Sequence, residues 1–110
     1  MENKFEIVFI EDAKEDYRKL DGSEKKYVDI ALAKIRLRAD ELGEELTKKG
    51  DSNLIGCKKI KFRKIGIRIV FRVIGGQVEI AEIISIGKRR NDEVYKNAAK
   101  RLRNIKKKHQ

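Results

Sequence analysis

Proline is absent from the 110 residues, and cysteine and histidine occur once each, as Cys57 and His109. With no proline, no Gly/Ser-rich stretch and no internal repeat, nothing marks a linker, so residues 1–110 are expected to form one domain. A lone cysteine excludes an internal disulfide, and one cysteine with one histidine cannot assemble the usual zinc sets. No metal and no small-molecule cofactor is expected. No apolar run approaches the roughly 20 residues of a membrane-spanning helix. The start, Met1-Glu2-Asn3-Lys4, lacks the basic residues and apolar core of a secretory signal, which predicts a cytoplasmic protein without a membrane partner. At 40% hydrophobic and 42% charged, with aliphatic residues regularly placed, the chain reads as folded.

The formal net charge of +10 conceals an asymmetry. Residues 1–56 carry 11 basic and 14 acidic side chains, a net −3, whereas residues 57–110 carry 17 basic and 4 acidic, a net +13. A block of that sign attracts polyanions at long range and binds phosphates by counterion release. Nucleic acid is the leading partner class; acidic proteins and membrane surfaces are the others.

Apolar periodicity orders the elements. Residues Lys4 to Ile10 alternate as a strand, and Ala13, Tyr17 and Leu20 follow at helical spacing. Asp21 and Glu24 have capping-box spacing, after which Val28, Leu32, Ile35, Ala39, Leu42 and Leu46 predict a long helix, antiparallel to the first. Lys48 to Asn53 reads as a polar loop. Lys58 to Arg63 alternates as a strand, then Ile67 to Ile74, and Gly75-Gly76 suits a two-residue hairpin into a last strand from Gln77 to Ile86. Apolar residues on both faces of that strand predict a central position. Asn91 can cap a final helix with Val94, Ala98, Leu102 and Ile105 as its buried stripe. The order β, α, α, β, β, β, α predicts an α+β domain, a mostly antiparallel sheet of about four strands with helices on one side.

Lys59 and Lys61 share a strand face because the pleat repeats every two residues. If Arg68, Arg89 and Tyr95 converge there, four cations and a phenol form a phosphate site, with a ring on which an unpaired base can stack. RNA can be cut without a metal, because its 2′-hydroxyl can attack the adjacent phosphate once a base, an acid and charge stabilisation are supplied. His109 lies one residue from the end of the chain, so that work falls to lysine and tyrosine. Crowded cations disfavour an ammonium among them and favour a tyrosinate. The same residues also have plain structural uses: a Lys-x-Lys pair guards a sheet edge, Tyr95 packs beside its helix stripe, Cys57 fills space, and Lys106-Lys107-Lys108 suits a helix C-terminus.

The ordered string Gly56-Cys57-Lys58-Lys59-Ile60-Lys61-Phe62-Arg63, Gly66-Ile67-Arg68-Ile69-Val70-Phe71, Ile84-Ser85-Ile86-Gly87-Lys88-Arg89 and Glu93-Val94-Tyr95 closely resembles the RelE toxins of bacterial and archaeal toxin–antitoxin systems. The resemblance implies the RelE/ParE fold, with its sheet against an N-terminal helical hairpin and a C-terminal helix. It also implies cleavage of mRNA in the ribosomal A site, and as partners the ribosome, mRNA and a cognate antitoxin. It implies proton transfer and charge stabilisation by Lys59 and Lys61, phosphate holding by Arg68 and Arg89, and stacking or orientation by Tyr95. Lys58, Arg63, Arg72, Lys88 and Arg90 are expected to extend the RNA contact. The chain departs from the family at Phe71, where tyrosine is common, at the extra Arg90, and in a basic tail from Arg103 to Gln110. Two alternatives within the fold are a ParE-like gyrase inhibitor and a catalytically idle module that binds RNA or antitoxin.

Overall fold

The computed structural model describes residues 4–49, 52–88 and 92–108. Strand β1 (Glu6–Phe9) leads into helices α1 (Glu11–Arg18) and α2 (Gly22–Arg38). Three two-residue strands follow, β2 (Glu44–Glu45), β3 (Lys48–Lys49) and β4 (Ser52–Asn53), then β5 (Cys57–Phe62), β6 (Ile67–Ile74), β7 (Ile80–Lys88) and helix α3 (Glu93–Lys108). The main sheet has the order β1-β7-β6-β5-β2. Only β1 and β7 pair in parallel; the other neighbours are antiparallel.

The α1–α2 hairpin forms as its spacing predicts. The Asp21 side chain accepts from the Glu24 amide at 2.8 Å, and the Glu24 carboxylate accepts from the Asp21 amide at 3.0 Å, completing the capping box. The Tyr17 hydroxyl donates to Asp29 at 2.7 Å and ties the two helices together. Helix α2 stops at Arg38, however, so Leu42 and Leu46 are not helical. Both still pack on apolar clusters from the irregular segment that follows, which explains why their spacing imitated a longer helix. The polar segment 48–53 contains the small β3–β4 hairpin rather than a loop alone.

The helices flank the sheet instead of sharing one side. Ala13, Val28, Ala31 and Ile35 pack on Ile67, Ile69, Phe71, Ala81, Ile83 and Ile86, whereas Val94, Ala98, Ala99 and Leu102 of α3 pack on Val70, Ile84, Cys57 and Leu54 of the other face. Burial on both faces is why β6 and β7 carry almost unbroken aliphatic runs. The β6–β7 connection spans five residues, with Ile74 opposite Ile80, so Gln77 and Val78 lie in the loop. A bulge also interrupts β7: Val70 pairs with Ser85 and Phe71 with Ile83, which leaves Ile84 as the extra residue. It shifts the alternation by one step, putting Ile86 with Ala81 and Ile83 on the helix-pair face, where strict alternation would group it with Ile84.

Strand β1 ends opposite Ile83, and beyond it side chains take over the outer edge of β7. The Asp16 carboxylate accepts from the Ile86 amide at 3.0 Å and holds Arg101 in a two-pronged pair at 2.6 and 3.1 Å, while Arg101 donates to the Ile84 carbonyl at 2.9 Å. One ion pair thus satisfies the strand edge and pins α3 to α1 across the sheet. Asp16→Ala takes the carboxylate away from the partly buried Arg101 and from the Ile86 amide together, so urea denaturation should show a loss of about 2 kcal/mol. A change under about 0.5 kcal/mol, the range of ordinary surface substitutions, would contradict this account.

Candidate active site

Residues Lys59 and Lys61 project from one face of β5, and Arg68 projects from the neighbouring position on β6, directly opposite Lys61. Tyr95, in the first turns of α3, overlooks the same face. These four side chains, with Arg63, Gly66 and Asp92, line an open depression of about 600 Å³. The Lys59 ammonium lies 5.6 Å from the centroid of the Tyr95 ring, within cation–π range. Arg68 is the most deeply set, 7% exposed, and its Nη1 has no hydrogen-bond partner among the described residues. A buried guanidinium nitrogen without a partner has given up the water it had in the unfolded chain, a cost that an anion reaching it would offset.

The other predicted residues divide. Arg63 joins the depression and is exposed. Arg72 lies on the same face but four residues along β6, paired with Glu82 at 2.7 Å and lining a separate groove with Cys57 and Leu102. The structure does not bring Lys58 and Lys88 to this depression. The pleat turns Lys58 to the opposite face, where its ammonium donates to the carbonyls of Ala39 and Asp40 at the end of α2, at 3.4 and 2.6 Å. Lys88 sits opposite Ile67 and reaches Glu24 of α2 at 3.9 Å, also on the helix-pair side. Arg89 and Arg90, and the proposed cap Asn91, lie outside the described residues. Phe71 is fully buried on the helix-pair face, so the absence of a tyrosine hydroxyl there leaves the depression untouched. Of the basic tail, residues 103–108 continue α3.

Two acidic residues were missed. Glu44 reaches Lys61 at 3.5 Å and Lys59 at 3.8 Å, and Asp92, in the left-handed region at φ 55°, lines the depression below Tyr95. Pairing of β2 with β5 brings Glu44 opposite Lys59. A two-residue strand has no periodicity to detect, and the sole local sign is Gly43, which has φ +82° and lies so close to β5 that a Cβ would stand 2.8 Å from the Lys59 carbonyl oxygen.

These neighbours set the protonation of the site. Burial pushes the Lys59 ammonium below the ordinary lysine value, Lys61 and Arg68 push the same way, and Glu44 opposes them. Tyr95 goes against the expected tyrosinate. Burial raises the phenol above its ordinary value and outweighs Arg68, which favours the ionised form by charge and by a hydrogen bond. The site thus offers a lysine that gives up its proton more readily than usual and a phenol that keeps its own. Among the described residues no group of three or more His, Cys, Asp or Glu could hold a metal ion, and none of their helices is long and apolar enough to cross a membrane.

Fold and depression together define a small α+β protein with a cationic depression beside a helix phenol. No family model matches the chain. The mRNA interferase toxin RelE of Escherichia coli K12 is 35% identical over 99 residues, which span 86% of this chain and 93% of that protein. Solved structures agree: a substituted E. coli RelE toxin in the free state superposes with a TM-score of 0.69 at 31% identity, covering 92% of this chain and 99% of that one. The same toxin in complex with a peptide of the antitoxin RelB gives a TM-score of 0.60 at 30% identity, over 86% and 94% of the two chains. The chain therefore belongs to the RelE family of toxin–antitoxin toxins.

If charge crowding contributes to the Lys59 shift as described, Lys61→Met removes one push and leaves Glu44 to Lys59 alone, both of which favour the ammonium. The Lys59 side chain, followed by NMR against pH, should then titrate higher than in the unsubstituted protein. A lower or unmoved midpoint would refute the electrostatic account.

Proposed function

We propose that this toxin is a ribosome-dependent endoribonuclease that cuts mRNA in the ribosomal A site and thereby arrests translation. The observation that carries the reading is the meeting of Lys59, Lys61, Arg68 and Tyr95 around one open depression, with the buried Nη1 of Arg68 lacking a hydrogen-bond partner among the described residues. The activity named for the E. coli relative supports the chemistry. Such an enzyme works in the cytoplasm, where its target is, and a cognate antitoxin restrains it, as the RelE–RelB complexes suggest by analogy.

The reaction needs only the chain's side chains and the RNA. The 2′-oxygen attacks phosphorus, its proton passes to a base, the P–O5′ bond breaks, and the departing 5′-oxygen takes a proton, leaving a 2′,3′-cyclic phosphate and a 5′-hydroxyl. Lys59 suits the proton-accepting role because burial and neighbouring cations weaken its hold on the proton. Lys61 supplies an ammonium to the phosphorane oxygens and the leaving group. Arg68 grips the phosphate through its guanidinium, whose Nη1 has no hydrogen-bond partner among the described residues, and Arg89, assigned by resemblance, completes the clamp. Tyr95, protonated and beside Lys59, orients the nucleotide by stacking and by donating a hydrogen bond, which fits a raised phenol better than a role as base. Arg63 at the exposed rim steers the backbone.

Primer extension on translating ribosomes tests this directly. The unsubstituted protein should cleave transcripts at A-site codons; Lys61→Ala and Arg89→Ala should each slow cleavage about 10²-fold or more while the protein stays folded. Tyr95→Phe should retain more activity than Tyr95→Ala, because the ring remains. Intact transcripts during growth arrest would point instead to a gyrase inhibitor, and full activity in both variants would dismiss the site.

A further inference from the structure

Glu44 is placed too deliberately to be an incidental surface charge. Its strand is two residues long, yet it is fixed from both sides: Gly43 adopts a positive φ that brings the backbone against the Lys59 carbonyl, and the Leu46 amide donates to the Cys57 carbonyl at 2.9 Å. The Cα register puts Glu44 directly opposite Lys59, and residues opposite one another across strands share a face. From that anchored position its carboxylate reaches both lysines, at 3.5 and 3.8 Å, while its side chain remains 62% exposed. The lysine side chains are only 21% and 24% exposed. The cations are therefore held in place and the anion is free to leave.

A carboxylate that straddles two ammonium groups at these distances occupies the position an unesterified phosphate oxygen would take. We propose that Glu44 is a built-in counter-ion that seats itself on the Lys59–Lys61 pair in the resting protein and must be displaced by the scissile phosphate; this rests on the reading of the depression as an RNA-cleaving site. Its separations exceed those of a tight charge-assisted hydrogen bond, so displacement is easy when other contacts already hold the strand and difficult when a lone phosphate arrives. Glu44 thus acts as a selectivity device. It weakens capture of stray RNA and leaves cleavage to strands presented in register. Burial, Lys61 and Arg68 weaken the hold of Lys59 on its proton, and Glu44 restrains that trend until it departs; Asp92, just before α3, and Tyr95, on α3, also line the depression.

The test uses the full chain and a short 2′-O-methyl RNA oligonucleotide, which offers phosphates but has no 2′-hydroxyl with which to react. Glu44→Gln should bind this probe about threefold to tenfold more tightly at low salt, the scale expected for two exposed ion pairs. The gain should shrink as salt rises, and it should vanish when Lys59 and Lys61 are both replaced by methionine. Circular dichroism melting, matched between the variant and the unsubstituted protein, excludes a folding effect. Unchanged or weaker binding, a gain that survives loss of both lysines, or no measurable binding by either protein would overturn the proposal. So would a hundredfold fall in cleavage at unchanged affinity, which would make Glu44 a proton-transfer group. Because the probe cannot be cut, these outcomes are separate from the ribosome assay, whose failure would remove the nuclease reading and leave the counter-ion measurement standing.

Discussion

The register of β5 against β6, which sets Lys61 opposite Arg68, is the constraint on which the depression depends, because it forces like charges together on one small area of sheet. Two cations directly opposite one another destabilise a strand pair, so something else must hold the register. The rest of β6 does so. Ile67, Ile69 and Phe71 are fully buried against the helix pair and Val70 against α3, and a slip of one residue would exchange the two faces and drive Arg68 into the helix-pair core. The aliphatic core thereby enforces an arrangement that electrostatics alone would reject, and the unfavourable charge density becomes available to a polyanion.

The same logic explains why the third helix belongs to the site. Tyr95 has meaning only if α3 crosses the sheet at a fixed height, and the Asp16–Arg101 pair fixes it by bonding the Ile84 carbonyl and the Ile86 amide beside the β7 bulge. The bulge is not a defect in this setting. It turns two successive residues, Ile84 and Ser85, against Val70, and it occurs where β1 stops and side chains replace the missing strand. Scaffold and site are joined by the apolar stripe of α3 and by an ion pair drawn from α1 and α3, residues far apart in the chain.

Much of this was legible from residue order. The capping box, the two-residue alternation of β5 and β6, and the apolar stripe of α3 each rest on local periodicity, and each matches the structure. The grouping of Lys59, Lys61 and Arg68 followed from the pleat and from the resemblance. What could not be read depends on distant partners. Lys58 differs from Lys59 only in being one residue earlier, yet it ends on the carbonyls of α2. The phase slip at Ile84 leaves no mark in a strand whose residues are apolar on both faces. Leu42 and Leu46 continued a helical spacing from irregular backbone, although only Leu42 packs on the core that α2 serves and Leu46 packs on the α3 side.

Charge counting gave a correct total and an incomplete picture of the site. The division into a net −3 half and a net +13 half suggested an uncompensated basic surface. Folding brings acidic groups into that surface, Glu44 from β2 and Asp92 from just before α3, and the lysines that Glu44 meets are partly desolvated. Local pairing therefore decides which charges a ligand encounters. Among the cationic groups of the depression, Lys59 and Lys61 have a carboxylate within 4 Å, whereas the buried Nη1 of Arg68 has no hydrogen-bond partner among the described residues. Groups of the same sign in one depression therefore differ in what surrounds them, and the difference is set by burial and pairing rather than by net charge.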